Sequence, residues 1–373
     1  MIVGVEVSHA ASEPCPPATC TRRFARVPAW VRERNVTIHI GVLLGDPRLP
    51  YAYAPGGVFG EEELKAVDNL RRALDTLEGF RFTYFDDHAV LIDALREQKP
   101  DLVLNLCDTG FRNEWERELD LPALLQLLDI PYTGAGPTGI VLSNDKALMS
   151  AAARMSGVLV PEQQVVDAAR EPLELPSSYP AFIKPNVSAG SFGITEKSLV
   201  RNDEEARSYL RWIAPQIQAT EVLIQEFLPG AEYTVGLIGN PGAGFEVLPP
   251  LEIDFGALDE GLPPILTHGS KADPDSPYWS QLSFRRAELP PEKLERLGAD
   301  CARVFERLDF RDYARFDFRD GEDGRPRLLD ANINPTWYEG GKLSLMAGWA
   351  GHDYATMMRM ILEAALTRAG ISA

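Results

Sequence analysis

ARFDFRD at 314–320 and LLDANINP at 328–335 are the two segments that decide the predicted fold of this 373-residue chain. The turn-rich sequence DGEDGRPR at 320–327 separates them, which is typical of two strands joined in a hairpin. Alternation along the first strand puts three polar residues on one face: Arg315, Asp317 and Arg319. On the second strand it predicts one shared face for Leu328, Asp330 and Asn332.

The carboxylates of this hairpin predict a cation site. With the turn centred near Asp323, Asp317 faces Asp330 with about 5 Å between the side chains. Two carboxylates that close repel each other unless a cation lies between them, and Asn332 adds an amide oxygen. Hard oxygen ligands of this kind suit Mg²⁺ that carries nucleotide phosphates. A solvated acidic hairpin is the alternative, because acidic residues are abundant in the chain.

The charge of the whole chain limits its partners. Asp and Glu number 55 against 37 Lys and Arg, which gives a net charge of -18. Such a surface repels phosphate backbones and anionic lipids, so we expect neither a nucleic-acid nor a membrane partner. No apolar run is long enough to span a bilayer, and four Cys in the chain favour a reducing cytoplasm. An anionic ligand therefore needs a local cluster of positive charge.

The order of elements predicts an α/β protein whose N-terminal domain contains a parallel sheet. Strands are expected at 37–45, 81–85 and 101–106, and helices at 61–78, 89–97 and 121–128. Strands that alternate with helices favour parallel pairing through crossover connections. Residues 1–36 mix Pro, Ala and Arg without a period, so we expect a flexible N-terminal extension.

The rest of the chain continues this alternation. A loop at 131–137 closes the first domain, and a helix is expected at 143–155. Further strands are predicted at 179–185, 221–228 and 232–239. Further helices are predicted at 203–213, 291–308 and 353–367.

The loop NVSAGSFGI at 186–194 is a candidate phosphate-binding loop. Gly190, Ser191 and Gly193 allow backbone N–H groups to approach phosphate oxygens. Lys184 precedes the loop at a strand end, and Lys146 on the preceding helix is a second candidate cation. A plain turn with surface lysines is the alternative, since the loop matches neither the Walker nor the dinucleotide pattern.

The segment EVLIQEFLPGAEYTV at 221–235 is a candidate nucleotide hinge. Its exposed backbone groups can pair with a purine edge, and Glu232 is placed to accept ribose hydroxyls. The backbone in question belongs to Gln225, Glu226, Phe227 and Leu228. An ordinary hairpin with a solvent-facing Glu is the alternative. His268 is the one histidine of interest, in a polar loop with Lys271.

Order and spacing together resemble the ATP-grasp ligases, in particular the D-alanine-D-alanine ligase group. The resemblance covers residues 37 to about 365 and includes GVLLG, LNLCDTG, LPALLQLLDIPYTG and NDKALM. It implies a three-domain ATP-grasp architecture, with an N-terminal α/β domain at 37–138, a central subdomain at 139–224 and a C-terminal subdomain at 225–373. ATP is then held between the last two.

The resemblance also implies a role for each candidate residue. The matching phosphate contacts are Lys146, Lys184, Lys271 and the loop with Gly190, Ser191 and Gly193. Residues 225–228 match the adenine hinge, and Glu232 matches the ribose ligand. Asp317, Asp330 and Asn332 match the ligands of Mg²⁺, with two ions expected and Mn²⁺ allowed. Arg315, Lys271 and Ser191 match the catalytic set.

The implied reaction is stepwise amide formation. A substrate carboxylate attacks the γ-phosphate of ATP to form an acyl phosphate, and the amine of a second substrate then displaces phosphate. We therefore expect a carboxylate and an amine, both amino-acid-like, as the small-molecule partners. A homodimer is compatible with this prediction.

Departures from the group concern the substrate. D-alanine ligases usually have a Glu after the first strand, a Ser in the phosphate loop and a Tyr after the flexible-loop Lys. This chain has DPRLPYAYAPGG, Gly190 and Ala272 there, and bulky Trp337 and Tyr338 follow its Asn332. Asp330 also replaces a bridging Glu.

These departures predict a ligase that does not join two D-alanines, with substrate carboxylates held by Ser344, Lys342 or Arg48. The alternatives are a true D-alanine-D-alanine ligase and a non-catalytic nucleotide-binding module. Retention of the metal ligands and both phosphate lysines argues against the module.

Overall fold

A computed structural model of the chain describes residues 37–51, 55–188, 190–217, 220–273 and 275–372, without the side chains of Pro55, Lys271 and Ala272. Thr37–Ala373 form one compact unit. The predicted extension at 1–36 and Ala189 of the candidate phosphate loop lie outside the described residues. The predicted domain boundaries at 138 and 224 stay predictions.

The N-terminal part contains the predicted parallel sheet. Strand β1 (Ile38–Leu43) lies between β2 (Phe80–Phe85) and β3 (Leu102–Asn105), and both pairings are parallel. The helices of this part are α1 (Glu61–Asp75), α2 (Leu91–Gln98) and α3 (Asp120–Leu127), with 3₁₀ turns at Pro55–Gly57, Phe111–Asn113 and Trp115–Arg117. Helix α1 buries Ala66, Leu70 and Leu74, so one face of it packs against the core.

Two helices replace the single helix predicted at 143–155. They are α4 (Pro137–Asn144) and α5 (Lys146–Met155). Asp145 separates them because its backbone is extended and its carboxylate accepts a hydrogen bond from the N–H of Leu148 at 2.9 Å. The loop predicted at 131–137 is present and ends where α4 begins, but the prediction of one continuous helix at 143–155 was wrong, because Asp145 caps α5 from outside the helix.

The central part is an antiparallel sheet of order β4-β7-β5-β6. Its strands are β4 (Gln163–Asp167), β5 (Ala181–Pro185), β6 (Leu199–Val200) and β7 (Glu221–Glu226), and α6 (Asp203–Ile213) covers one face. Short 3₁₀ turns lie at Glu196–Ser198 and Ala214–Gln216. The predicted helix at 203–213 is confirmed.

The C-terminal part is built on a larger antiparallel sheet, ordered β11-β10-β8-β12-β13 with β9 on β8. Its strands are β8 (Glu232–Asn240), β9 (Gly244–Val247), β10 (Leu251–Asp254), β11 (Ser283–Arg286), β12 (Tyr313–Asp320) and β13 (Pro326–Asn332). Its helices are α7 (Gly269–Ala272), α8 (Pro277–Ser280), α9 (Pro291–Arg307), α10 (Lys342–Trp349) and α11 (Tyr354–Ala369). In the described parts of the chain, none of the helices is both long and apolar enough to cross a bilayer.

The decisive hairpin is formed by β12 and β13. Asp317 pairs with Asp330, as predicted. The register then shifts, so that Phe318 pairs with Leu328 and Leu329 is the extra residue of a β-bulge. Leu328 is therefore fully buried in the core, whereas Asp330 and Asn332 face the opposite side. The prediction that Leu328 shares their face was wrong because alternation does not continue through a bulge.

Candidate active site

A cavity of about 720 Å³ lies between the central and the C-terminal sheets. Most of the residues that the sequence singled out line it. They are Lys146, Lys184, Gly190, Ser191, Gln225, Glu226, Phe227, Leu228, Glu232, Arg315, Asp317, Asp330 and Asn332. Residues from segments almost two hundred positions apart therefore face one space.

The floor of the cavity is the polar face of β8, β12 and β13. Thr234 pairs with Asp317 across β8 and β12, and Asp317 pairs with Asp330 across β12 and β13. The opposite face of these strands carries fully buried apolar residues, including Phe316 and Phe318. Burial of one face thus fixes which side chains point into the cavity.

Asp317 is held by its neighbours in a defined orientation. Its Oδ1 accepts a hydrogen bond from the hydroxyl of Thr234 at 2.7 Å, and its Oδ2 accepts one from Nδ2 of Asn332 at 3.0 Å. Nη2 of Arg315 lies 3.4 Å from the same Oδ2. Because Nδ2 of Asn332 is occupied, its carbonyl oxygen is the atom left for a cation.

The donor set fits Mg²⁺. Two carboxylates and one amide oxygen on adjacent strands are hard ligands, and Mg²⁺ is usually bound through one or two carboxylates together with substrate phosphates. Among the described residues no three His, Cys, Asp or Glu side chains converge as a metal site, and the candidate set here consists of two carboxylates and one amide.

Lys146 and Lys184 bring positive charge to the cavity from two different elements. Nζ of Lys146, in the first turn of α5, donates to the carbonyl of Ser188 at 3.1 Å, and Nζ of Lys184, on β5, lies 3.4 Å from the carbonyl of Leu329. Burial lowers the pKa of Lys184 to about 8, although the Asp330 carboxylate opposes this shift. The bulge at Leu329 thus supplies a carbonyl partner for Lys184, a candidate phosphate contact.

The candidate phosphate loop lines the cavity at Gly190 and Ser191. Both residues have positive φ angles, 59° and 66°, which turn the backbone sharply. The N–H of His268 donates to the carbonyl of Ile194 at 2.9 Å, so the loop before α7 rests on the phosphate loop. The side chain of Lys271 lies outside the described residues.

Gly193, expected to contact the cofactor, lies at the base of the loop. It is not among the described residues that line the cavity. A Cβ there would come within 2.7 Å of Pro185 and 2.9 Å of Ile213, so Gly193 packs the base of the loop against the central sheet. Its predicted contact with the cofactor has no support from this position.

The hinge lies where β7 leaves the central sheet. The N–H groups of Glu226 and Phe227 donate to the carbonyls of Glu162 and Pro180 at 2.9 and 3.3 Å. Those two N–H groups therefore already have partners in the protein. Gln225 is also engaged, because its side-chain amide donates to the side-chain oxygen of Gln163 at 2.6 Å.

Glu232 has a partner that sequence reasoning missed. Nη1 of Arg319 lies 3.1 Å from Oε2 of Glu232, and both side chains are buried. Burial raises the pKa of Glu232, and the Arg319 charge opposes that shift. Glu232 and Arg319 are cross-strand neighbours on β8 and β12, so correct pairing of these strands was the signal that could have found the pair.

The end of the cavity nearest the N-terminal sheet carries acid groups that were also missed. Asp108 and Glu118 line it, together with Asn334, whose Nδ2 donates to Glu118 at 2.6 Å. Burial and the charge of Glu118 raise the pKa of Asp108 to about 7. The pKa of Glu118 is likewise raised to about 7 by burial.

Of the three residues predicted to hold substrate carboxylates, only Lys342 is among the described residues that line the cavity. Lys342 lines the cavity at the start of α10, where burial lowers its pKa. Gly236 permits this approach, because a Cβ there would lie 2.8 Å from Leu343. Arg48 and Ser344 are not among the described lining residues, and Arg48 instead pairs with Asp46 at 2.7 Å.

The bulky pair after the hairpin also lies away from the cavity. Nε1 of Trp337 donates to the carbonyl of Leu106 at 2.9 Å, and Trp337 is buried. Tyr338 packs edge-on against it. Neither belongs to the described lining. These two side chains anchor the segment to the N-terminal part rather than narrow the substrate space.

The fold and the site together define an ATP-grasp enzyme, a ligase that forms carbon–nitrogen bonds with ATP. The family model described as "D-ala D-ala ligase C-terminus" matches residues 160–363, which is more than half of the chain. The chain therefore belongs to the D-alanine-D-alanine ligase-like family. Members of this family use ATP, generally with Mg²⁺.

Individual proteins resemble this chain in sequence or in fold. A Sinorhizobium fredii protein named "Uncharacterized protein y4sG" is 30% identical over 76% of this chain and 82% of its own length. A protein of Bordetella petrii named D-alanine–D-alanine ligase is 28% identical over 66% of this chain and 71% of its own. The D-alanine–D-alanine ligase of Bacillus anthracis, solved with ATP, superposes with a TM-score of 0.66 over 89% of this chain and 99% of its own, at 20% identity.

Proposed function

We propose that the chain joins the carboxylate of one amino-acid-like substrate to the amine of another through an acyl phosphate, and that the substrates are not two D-alanines. ADP and phosphate are the other products. The observation that supports this most is the convergence of Lys146, Lys184 and Arg315 with the pair Asp317 and Asp330 on one cavity. That set of charges is what phosphoryl transfer to a carboxylate requires.

ATP lies, in this proposal, between the central and C-terminal sheets. The hinge at 225–228 faces the adenine, Glu232 accepts hydrogen bonds from the ribose, and Lys146 and Lys184 contact the phosphates. Gly190 and Ser191 approach the phosphates through the turned backbone of their loop, and Lys271 joins them from α7. Lys146 and Lys184 lie on separate elements, so the phosphates meet two separate positive charges. These two contacts fix the direction of the phosphate chain in the cavity.

Asp317, Asp330 and Asn332 hold magnesium in this proposal, as two ions that Mn²⁺ can replace. When bound, the metal neutralises charge on the transferred phosphoryl group. The hydroxyl of Thr234 and the amide of Asn332 keep Asp317 turned toward the cavity. Asp330 is shorter than a glutamate, but the Leu329 bulge lies directly before it and sets its direction on the strand.

Arg315 stabilises the developing oxyanion in this proposal. Its side chain is 12% exposed, and Nη2 is turned toward Asp317 at 3.4 Å. Its Nε is buried without a hydrogen-bond partner among the described residues. A donor that is already desolvated and unpaired loses little when it binds a charged oxygen.

The substrates differ from D-alanine in this proposal because the polar groups around their space differ. Gly190 and Ala272 stand where the family has Ser and Tyr, and Arg48 is bound to Asp46 and Asp87. Asp108 and Glu118 line the far end instead, and Lys342 is the remaining candidate for a substrate carboxylate. ATP and free amino acids are cytoplasmic metabolites, and we propose that compartment, with a homodimer as the assembly.

A paired-substrate screen tests the proposal. Purified chain is incubated with ATP, Mg²⁺ and pairs of amino acids or small carboxylates, while released phosphate is measured and products are analysed by mass spectrometry. We expect amide product from at least one pair other than D-alanine with itself. Rapid turnover with D-alanine alone would instead establish the D-alanine-D-alanine ligase alternative.

The matched control for the screen is Asp317→Asn, which keeps the size of the side chain but removes its charge. We expect at least about a hundredfold loss of phosphate release, as when one strong electrostatic contact to the transition state is lost. Unchanged turnover in this variant would contradict the metal assignment. ATP binding without turnover for any pair would support the non-catalytic module.

A further inference from the structure

The buried ion pair between Glu232 and Arg319 forms one wall of the cavity. The two side chains are 8% and 5% exposed, and Nη1 of Arg319 lies 3.1 Å from Oε2 of Glu232. The same Nη1 donates to the carbonyl of Pro264 at 2.7 Å. The guanidinium is thus anchored both to the neighbouring strand and to the loop that follows β10.

Two aromatic rings restrict the guanidinium further. Its central carbon lies 5.0 Å from the ring centre of Phe227 and 5.6 Å from that of Phe255. Phe227 belongs to the hinge, so Arg319 connects the residue expected beside adenine to the residue expected beside ribose. A guanidinium packed against two ring faces has few orientations available, and its charge is stabilised by those faces.

The pair leaves hydrogen-bonding capacity unused at the cavity lining. A carboxylate has about four acceptor positions, and Arg319 occupies Oε2 only. Nε of Arg319 is buried and has no hydrogen-bond partner among the described residues. Both residues line the cavity. Without Arg319, Glu232 would be a buried carboxylate with no ion-pair partner, which favours rotation or protonation.

We propose that Arg319 is a positioning residue that orients Glu232 toward the ribose diol and so makes the site select ribonucleotides over 2′-deoxyribonucleotides. The inference rests on the proposed role of Glu232. A carboxylate fixed on one side by Arg319 accepts hydrogen bonds from both ribose hydroxyls, whereas a mobile one satisfies them poorly. The 2′-hydroxyl is therefore worth more binding energy when Arg319 is present.

Equilibrium binding tests the proposal without knowledge of the ligase substrates. Dissociation constants for the non-hydrolysable analogue AMP-PNP and its 2′-deoxy form are measured by calorimetry with Mg²⁺ for the full chain and its variants. We expect the wild type to prefer the ribose form about tenfold, or about 1.4 kcal/mol. In Arg319→Met the preference should fall to less than about twofold, mainly through weaker binding of the ribose form.

Two further variants separate the possible failures. Arg319→Lys keeps a charge that can pair with Glu232, so it should recover part of the preference. It also keeps the test informative if the Met variant misfolds. Arg285→Met removes an exposed cross-strand partner of Glu252 in the same sheet, outside the cavity lining, and should change nothing. Equal weakening of both nucleotides in Arg319→Met would overturn the positioning role.

Glu232→Gln distinguishes this inference from the proposed function. If Glu232→Gln keeps the tenfold preference, Glu232 does not contact the ribose and the proposed nucleotide orientation fails with it. If Glu232→Gln loses the preference but Arg319→Met keeps it, only the role of Arg319 is refuted.

Discussion

Lys184 shows how one buried charge connects packing to ligand binding. The strand β5 carries it into the cavity, where it is 6% exposed and has the Leu329 carbonyl at 3.4 Å. Loss of hydration favours the neutral amine, while Asp330 favours the ammonium form. The result is a pKa of about 8, so Lys184 is charged at neutral pH but loses its charge within a moderate pH rise.

ATP affinity should consequently fall as the pH rises through about 8. In the free protein a growing fraction of Lys184 is neutral above that pH. ATP binding must then be accompanied by uptake of a proton from the solvent, which weakens affinity by up to about tenfold per pH unit. Between pH 7 and pH 9 we expect the dissociation constant of ATP, measured by calorimetry, to rise about tenfold. Nucleotide charge is nearly constant across this range.

Lys184→Arg is the matched variant, because arginine stays protonated throughout. Its dissociation constant should change less than about twofold between pH 7 and pH 9. A flat wild-type profile, or an Arg variant with the same pH dependence as the wild type, would show that Lys184 is not the group that titrates.

At the scale of elements, the phosphate loop depends on the packing of its base. Gly193 has a φ of 75°, and Tyr209 of α6 donates a hydrogen bond to its carbonyl at 2.5 Å. Pro185 and Ile213 leave no space for a Cβ at this position. The end of β5 and the last turn of α6 therefore determine where Gly190 and Ser191 lie.

Gly193→Ala should displace this loop. The added methyl group clashes with Pro185 and Ile213, so we expect about 1–3 kcal/mol less stability in urea unfolding than a change without such contacts, together with weaker ATP binding. Gly157→Ala is the control, since Gly157 has the same φ of 75° with nothing within 4 Å of a Cβ. Equal effects of the two substitutions would mean that backbone conformation alone is responsible.

The elements that sequence periodicity predicted well are those with one buried face. Helix α6 follows from the helical period and the pairing of Asp317 with Asp330 from strand alternation, whereas β1, which is buried at every position, follows from its continuous apolar run. The bulge at Leu329 was missed because period-two reasoning assumes an unbroken ladder. Helix α10 was missed as well, since it follows Gly340 and Gly341 and lacks a marked polar face.

The candidate site was predictable for residues whose own side chain suggests the chemistry. It was unpredictable for residues whose role depends on contact with a distant partner. Lys146, Lys184 and Asp317 line the cavity as expected. Arg319 was placed on the correct face, but its contact with Glu232 needs the pairing of β8 with β12, which joins residues 87 positions apart. Asp108 and Glu118 follow irregular segments whose direction no periodic pattern gives.

At the scale of the whole molecule, a net charge of -18 coexists with a cavity that collects cations from separate parts of the chain. Acids on the described surface pair locally, as Asp68 and Asp86 do with Arg71. The cavity lysines and arginines instead face acids that, in the proposed function, also bind magnesium and ribose. An acidic protein can therefore bind a polyanion at one concave site while its outer surface repels polyanions.

Asp312 joins three distant parts of this molecule away from the cavity. It is fully buried, and its carboxylate accepts hydrogen bonds from the N–H of Gly134 at 3.0 Å and from Asn240 at 2.9 Å. Arg368 of α11 completes the set, with Nε and Nη2 at 2.9 and 2.8 Å. The loop after α3, the end of β8 and the last helix thus share one carboxylate.

Asp312→Ala should therefore lower the free energy of unfolding by about 3–5 kcal/mol, because it leaves a partly buried arginine and a buried N–H group without an acceptor. Urea unfolding followed by fluorescence measures the change. Asp312→Asn is the control: asparagine tolerates the φ of 65° at this position and keeps one acceptor oxygen, so its loss should be clearly smaller. Equal losses would assign the stability to the charge alone, and a loss below about 1 kcal/mol in the Ala variant would show that the three parts are held together without this carboxylate.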